Sequence, residues 1–373
     1  MGPRFLERFH HARTRSAIHR DRARHAWNER PRPRLGRGSA PLSSATLVIQ
    51  TAFLGDVVLT TPLFSALAAD HGPVDVVTTP SAAPLIETHP AVRKVIPYDK
   101  RSSDRGWAGL RNLARRLRTE RYERAYLPHR SLRTAALGVL AGIPTRIGFS
   151  GAWSFLYTEA RPKPALGHES DRLLALANKP PGVYPPQLWS TPTDEQATAG
   201  LIDEAFVALA PGSIWGSKRW PYYPELAARL AERVAVAVVG GPDDVELGDQ
   251  IVQAVRPSGR QAVNGCGRLT LRQSASLIGR AALLVTNDSA PLHLATAMGT
   301  PIVALFGPTV TEFGFGPLRP GDLALGIDEL PCRPCSSHGP PQCPLGHHRC
   351  MGELTVEAVI AAIEELGALR RRG

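Results

Sequence analysis

Three short polar stretches each follow an apolar run, and each carries residue types able to handle a charged ligand. Asp56 closes Ala52-Phe53-Leu54-Gly55-Asp56, Ser213 and Lys218 lie in the loop from Pro211 to Arg219, and Asp288-Ser289-Ala290-Pro291 opens a small-residue helix containing His293. A carboxylate where a helix begins at the mouth of a strand, such as Asp56, reads first as a helix cap. On the second loop Gly212 lets backbone N–H groups converge while Ser213 adds a hydroxyl and Lys218 a cation. This reads either as a phosphate clamp or as a charged loop with no ligand. At Asp288 to Ala290 the exposed N–H groups and positive dipole end of the coming helix make an anion site, or simply a capped helix start. Glu246, after Gly240-Gly241-Pro242, is placed to accept hydrogen bonds from ribose hydroxyls or to be an ordinary first-turn acid.

The elements that must position these residues alternate regularly. Apolar runs at Ala45–Thr51, Val74–Thr78, Lys94–Tyr98, Ala125–Leu127, Phe206–Ala210, Val234–Val239, Leu283–Thr286 and the stretch ending at Phe306 read as buried strands. Between them lie helical patterns: one from Val57 to about Ala69, then Trp107–Glu120, Leu132–Ala141, Pro224–Arg233, a helix ending near Val255, Leu271–Gly279, Ala290–Met298 and the terminal Val356–Leu366. Strand–helix alternation predicts α/β architecture, with parallel sheets covered on both faces. The three polar loops then fall at carboxyl ends of strands, where such sheets bind ligands. Seven prolines between 162 and 192 interrupt the pattern and divide the chain. The organisation expected is an Arg/Pro-rich arm at 1–44, one α/β domain at 45–180, a linker at 181–204, a second α/β domain at 205–352 with a Cys-rich loop at 331–350, and a helix with a basic tail at 353–373.

A net charge of +11 suggests nucleic acid or membrane until it is located. Residues 1–37 hold eleven arginines against three acids, and Arg370 to Arg372 close the chain, which leaves thirty basic and thirty acidic residues between 38 and 369. Charge confined to the ends, without aromatics interleaved on a face, argues against a nucleic-acid partner. The arm reads as an appended segment able to touch acidic lipid or lipopolysaccharide phosphates, or as a start codon placed too early. Residues 1–44 lack the apolar segment of a secretory signal, and no run reaches the roughly 18 apolar residues of a spanning helix, so a cytoplasmic location is expected. Cys332, Cys335, Cys343 and Cys350 fall within nineteen residues of one another, and read as ligands of a structural metal or as reduced thiols. Arg130, Arg133 and Arg146 lie in or beside loops, where they are solvated or hold phosphate and carboxylate groups.

Several ordered motifs together resemble the ADP-heptose:lipopolysaccharide heptosyltransferases, glycosyltransferase family 9. They are Gly55-Asp56-Val57 with Thr60-Thr61-Pro62, Ala210-Pro211-Gly212-Ser213 with Lys218-Arg219-Trp220-Pro221, the segment Gly241 to Glu246, and Asn287-Asp288-Ser289-Ala290-Pro291-Leu292-His293-Leu294-Ala295 through Phe306-Gly307-Pro308-Thr309. The resemblance runs from about Ala45 to Leu366. The segments 141–149 and 343–351 are similar to the heptosyltransferase II branch.

The resemblance implies the GT-B fold, two Rossmann-like domains facing across a cleft, and inverting transfer of a heptose from ADP-heptose to a sugar hydroxyl of the lipopolysaccharide inner core. Asp56 would be the general base and Lys218 a catalytic cation. Ser213 and the N–H groups of Ser289 and Ala290 would stabilise the diphosphate in place of a metal, so no cofactor is required. Glu246 would hold the ribose, Asp288 would orient the donor, and His293 matches the motif for binding or packing. Arg130, Arg133 and Arg146 would meet the lipid-linked Kdo/heptose acceptor at the cytoplasmic surface of the inner membrane. The Cys-rich segment is similar to the iron-binding finger of protein-heptosylating relatives. It keeps open a different ADP-sugar or a protein acceptor, while an inactive sugar-nucleotide-binding protein would be expected only if Asp56 or Lys218 were lost.

Overall fold

Short runs of β-branched and aliphatic residues, buried on both faces, build the two sheets of the computed structural model, which describes residues 46–369. The arm at 1–44 and the arginines at 370–372 lie outside the described residues. The first sheet comprises β1 (Thr46–Ile49), β2 (Val74–Thr78), β3 (Val92–Pro97), β4 (Arg124–Leu127), β5 (Thr145–Phe149) and β6 (Glu159–Arg161), in the order β3-β2-β1-β4-β5-β6. The second comprises β7 (Phe206–Ala210), β8 (Ala235–Val238), β9 (Ala262–Asn264), β10 (Leu283–Asn287), β11 (Ile302–Leu305) and β12 (Leu323–Leu325), in the order β12-β11-β10-β7-β8-β9. Every pairing is parallel. Counted within each half, the two orders are the same doubly wound arrangement, with the strand order reversing between β1 and β4 and between β7 and β10. The expected α/β class and the two-sheet architecture are both present.

The halves share their apolar interior. One core cluster contains Val48, Val57 and Leu63 from the first half together with Ala208, Leu284 and Leu292 from the second. Between them the helix Leu54–Leu59 packs on the helix Ala290–Met298.

Three local expectations are corrected. The helix expected to run on from Val57 is two helices, Leu54–Leu59 and Thr61–His71, because the Thr60 hydroxyl bonds back to the Asp56 carbonyl at 2.6 Å and Pro62 restarts the chain in a new first turn. The Pro-rich break contains the helix Glu169–Leu174, whose start His168 caps by accepting the Ser170 N–H at 3.3 Å. The expected linker holds the helix Pro192–Ala199, opened by reciprocal bonds between Thr191 and Asp194. Prolines flank these helices or occupy their first turn, where a missing N–H costs nothing.

Candidate active site

The loops after β1, β7 and β10 all leave at the strand-order reversals, and they line one cleft of about 560 Å³ between the halves. Asp56 enters from the first half; Ser213, Lys218, Asp288, Ser289, Ala290 and His293 enter from the second.

On the second-half wall, the Lys218 ammonium donates to Asp288 Oδ2 at 2.6 Å, and the Thr309 hydroxyl donates to the same oxygen at 2.6 Å. Both members of the pair are buried, Lys218 at 7% and Asp288 at 8% exposure. Burial of this kind is tolerated because the carboxylate meets both a cation and a hydroxyl donor. Asp288 therefore aims Lys218 into the cleft instead of capping the helix. Ser289 takes the cap position, but its hydroxyl bonds to the Asn287 carbonyl at 3.4 Å and not to the helix, so the first-turn N–H groups of Ala290–Met298 have no side-chain cap. Asn287, wholly buried, ties this corner together: its amide donates to Pro211 O at 2.8 Å, and its oxygen accepts from the Trp220 N–H and the Tyr223 hydroxyl. The Ser213 hydroxyl accepts the Trp215 N–H at 3.2 Å, folding the loop back on itself.

On the opposite wall, Asp56 Oδ2 accepts the Phe53 N–H at 3.2 Å. Burial, reinforced by the Glu169 carboxylate, pushes the Asp56 carboxyl up to about 6. A carboxylate poised there is ionised at neutral pH yet basic enough to take a proton. Gly55 beside it has a structural duty: a Cβ would fall 2.6 Å from Cδ2 of His293. The close approach at Gly55 is made to the imidazole ring of the facing helix. His293 is buried, its Nδ1 has no hydrogen-bond partner among the described residues, and desolvation holds its pKa down to about 4, so the ring is neutral.

The remaining expected site residues are placed differently. Glu246 is exposed and stands outside the cleft lining, which at this corner is formed by Asp243 and Asp244. The Asp244 carboxylate sits over Gly212 and Gly240, either of which would clash with it as alanine, and it accepts the Gly241 N–H at 2.9 Å. None of the three arginines lines the cleft. Arg146 lies on β5 and gives its guanidinium to the carbonyls of Ile143 and Leu156. Arg133 donates to the Tyr98 hydroxyl at 2.9 Å, and Arg130 donates to the Ser150 carbonyl at 3.4 Å. Arg130 and Arg133 follow the carboxyl end of β4 and Arg146 lies within β5, so a place near that edge of the sheet does not by itself put a side chain on the cleft wall.

The cysteines are open, in sequence, to two readings, a structural metal site or reduced thiols. Among the described residues no group of three or more His, Cys, Asp or Glu side chains is arranged to hold a metal ion. Cys335 turns its thiol to the Cys332 carbonyl at 3.3 Å, and Cys350 is buried in the second-half core with its thiol pushed up to about 11. All four are free thiols. The loop carrying them nevertheless reaches the site, because Ser337 and His338 line the cleft, as do Phe53, Phe313 and Phe315. Sequence reasoning missed these five. For the three phenylalanines the signal was a large apolar side chain in a loop; Ser337 and His338 carried none.

Comparison with known proteins agrees with this geometry. The family model described as Glycosyltransferase family 9 (heptosyltransferase) matches residues 110–344. The chain is 30% identical to lipopolysaccharide heptosyltransferase 2 of Escherichia coli K12 over 323 residues, covering 76% of this chain and 92% of that protein. It is 28% identical over 352 residues to lipooligosaccharide heptosyltransferase 2 of Haemophilus influenzae, covering 86% and 98%. The solved structure of E. coli ADP-heptose lps heptosyltransferase II superposes with a TM-score of 0.71 at 27% identity, covering 86% of this chain and 98% of that one. A doubly wound pair of sheets, a carboxylate facing a buried lysine and helix N-terminus across their cleft, and these likenesses together place the chain in glycosyltransferase family 9, the heptosyltransferases, as a glycosyltransferase enzyme.

Proposed function

We propose that the chain transfers a heptose from ADP-heptose to a hydroxyl of the lipid-linked lipopolysaccharide core, with inversion at the anomeric carbon, in the manner of a heptosyltransferase II. The observation that carries this reading is the opposition of Asp56 to the Lys218–Asp288 pair and the uncapped start of Ala290–Met298 across one cleft. Asp56 accepts the proton of the acceptor hydroxyl as its oxygen attacks the anomeric carbon, and the bond to the ADP oxygen breaks on the far side of the sugar. The negative charge growing on the diphosphate meets the Lys218 ammonium and the first-turn N–H groups at Ser289 and Ala290, which are already oriented and need little rearrangement. Ser213 adds a hydroxyl at the same corner. The ribose lies toward Asp243 and Asp244, carboxylates that line the cleft as Glu246 does not.

The acceptor enters from the first half and remains anchored in the membrane, so the enzyme works at the cytoplasmic face of the inner membrane as a peripheral protein. No helix among the described residues is long and apolar enough to cross a membrane.

ADP release from ADP-heptose, measured with and without heptosyl-Kdo2-lipid A, tests the reading. The wild type should release ADP only when this acceptor is present. Asp56→Asn should retain ADP-heptose binding while turnover falls by about 10²-fold or more. Full turnover by Asp56→Asn would remove the base assignment, and indifference of the wild type to the acceptor would remove the substrate assignment.

A further inference from the structure

The Cys-rich loop is firmly held against the loop that carries Lys218. The Ser217 hydroxyl donates to Pro340 O at 2.5 Å, His348 Nε2 donates to Ser217 O at 2.7 Å, and the Cys335 N–H donates to Pro308 O at 2.8 Å. Gly339 is buried in a left-handed conformation with φ +82°, where a Cβ would lie 3.1 Å from Lys218 Cε. These ties fix the preceding residue, His338, at the cleft. Its Nδ1 is engaged by the Ser337 hydroxyl at 2.8 Å, which turns the other ring nitrogen, Nε2, outward from that contact.

Facing it from the first half is Phe53. The residue is 49% exposed, although it is a large aromatic in a cleft wall, and its ring centroid lies 6.2 Å from that of His338 at a tilt of 52°. Its backbone N–H is the group bonded to Asp56 Oδ2, so the ring stands at a fixed offset from the carboxylate. An exposed aromatic ring presents a flat apolar face, and an imidazole beside it presents a hydrogen-bonding nitrogen. This combination fits a sugar ring, whose C–H face packs on the aromatic while its hydroxyls bond to polar groups.

We propose that Phe53 and His338 form the subsite for the acceptor sugar ring, one residue from each half, which sets the acceptor hydroxyl at Asp56. The inference rests on the reading of Asp56 as the base. The acceptor is favoured over the donor because Phe53 belongs to the same loop as Asp56, whereas the Lys218 loop and the helix start that face a diphosphate belong to the second half. The Cys-rich loop then acts as a bracket that carries an acceptor-contacting side chain to the site and ties it to the lysine loop.

Steady-state kinetics of the full chain with ADP-heptose and heptosyl-Kdo2-lipid A, together with ADP binding by calorimetry, test this. Phe53→Ala and His338→Ala should each raise the acceptor KM about tenfold, the loss of one ring contact. The KM for ADP-heptose and the Kd for ADP should stay within about twofold, and His338→Gln, which keeps a polar side chain, should recover part of the loss. An unchanged acceptor KM, or a parallel weakening of ADP binding, overturns the subsite. The base assignment is read separately: if Asp56→Asn is inactive while both alanine variants keep the wild-type acceptor KM, the base stands and the subsite falls. Should Asp56→Asn turn over normally while both variants raise the acceptor KM, the subsite stands and the base falls.

Discussion

The environment that raises the Asp56 pKa would serve the proposed chemistry at the expense of the fold. Burial and the Glu169 carboxylate hold its pKa at about 6, above the ordinary aspartate value of 3.8. Only the ionised form accepts a proton, so kcat/KM should fall tenfold per pH unit below about 6, and this acidic limb should be absent from the residual activity of Asp56→Asn. For stability the sign is opposite. A carboxyl with a raised folded-state pKa favours the fold fully below its unfolded pKa, and that contribution is lost as pH rises through the folded pKa. Asp56→Asn, which keeps an acceptor for the Phe53 N–H and carries no charge, should therefore be more stable than the wild type at pH 8 by on the order of 1 kcal/mol. At pH 4 the gain should vanish. Urea denaturation at the two pH values reads this directly.

At the scale of elements, the contact between Leu54–Leu59 and Ala290–Met298 decides how closely Asp56, the proposed base, approaches the start of Ala290–Met298. Gly55 is the point of contact, against the His293 ring. Gly55→Ala should improve helix propensity by up to about 1 kcal/mol, yet its methyl group must displace a buried imidazole, a strain of about 1–3 kcal/mol. We expect lower stability and at least a tenfold loss of kcat/KM, since the two catalytic walls are pushed apart. The double variant Gly55→Ala with His293→Ala should recover much of the stability, giving a non-additive cycle in denaturation. Additive losses would show that the ring is not what limits the approach. The same contact gives His293 a packing duty whether or not its neutral ring also meets the donor.

The whole molecule is held at a second crossing, away from the cleft floor. The Glu169 N–H donates to Gly314 O at 2.8 Å, the Arg172 guanidinium donates to Phe313 O at 3.0 Å, and His168 Nε2 donates to Gly316 O at 3.0 Å, so the helix Glu169–Leu174 clasps the segment that brings Phe313 and Phe315 to the site. Arg172 also lies 3.6 Å from the buried Glu169 carboxylate. Arg172→Ala removes donors from the Phe313 and Ala165 carbonyls and a cation from a buried acid, and should cost about 2 kcal/mol. Because one apolar cluster contains residues of both halves, urea unfolding should stay a single transition with a lowered midpoint. Splitting into two transitions would mean that the halves fold independently once the clasp is cut.

The sequence by itself determined the α/β class, nearly all of the buried strands, and the three loops that carry Asp56, Lys218 and Asp288. These follow from local physics: apolar runs of strand length, helical periodicity, and polar turns that end strands at their carboxyl edges. The helix Ala290–Met298 and the terminal helix Val356–Leu366 were legible to the residue, since Ser289, Pro291 and Gly299 bound the one and Thr355 and Gly367 the other. Only the tertiary structure decided which side chains meet. It paired Lys218 with Asp288 across 70 positions, set His293 on Gly55, turned Asp243 and Asp244 to the cleft and Glu246 away, and gave Arg146 to nearby carbonyls. It also brought His338, from the Cys-rich loop, to face Phe53. Periodicity carries the direction of a side chain relative to its own element, but not the position of that element against one far along the chain. That position is set by how two sheets share a core, and the contacts at the cleft follow from it.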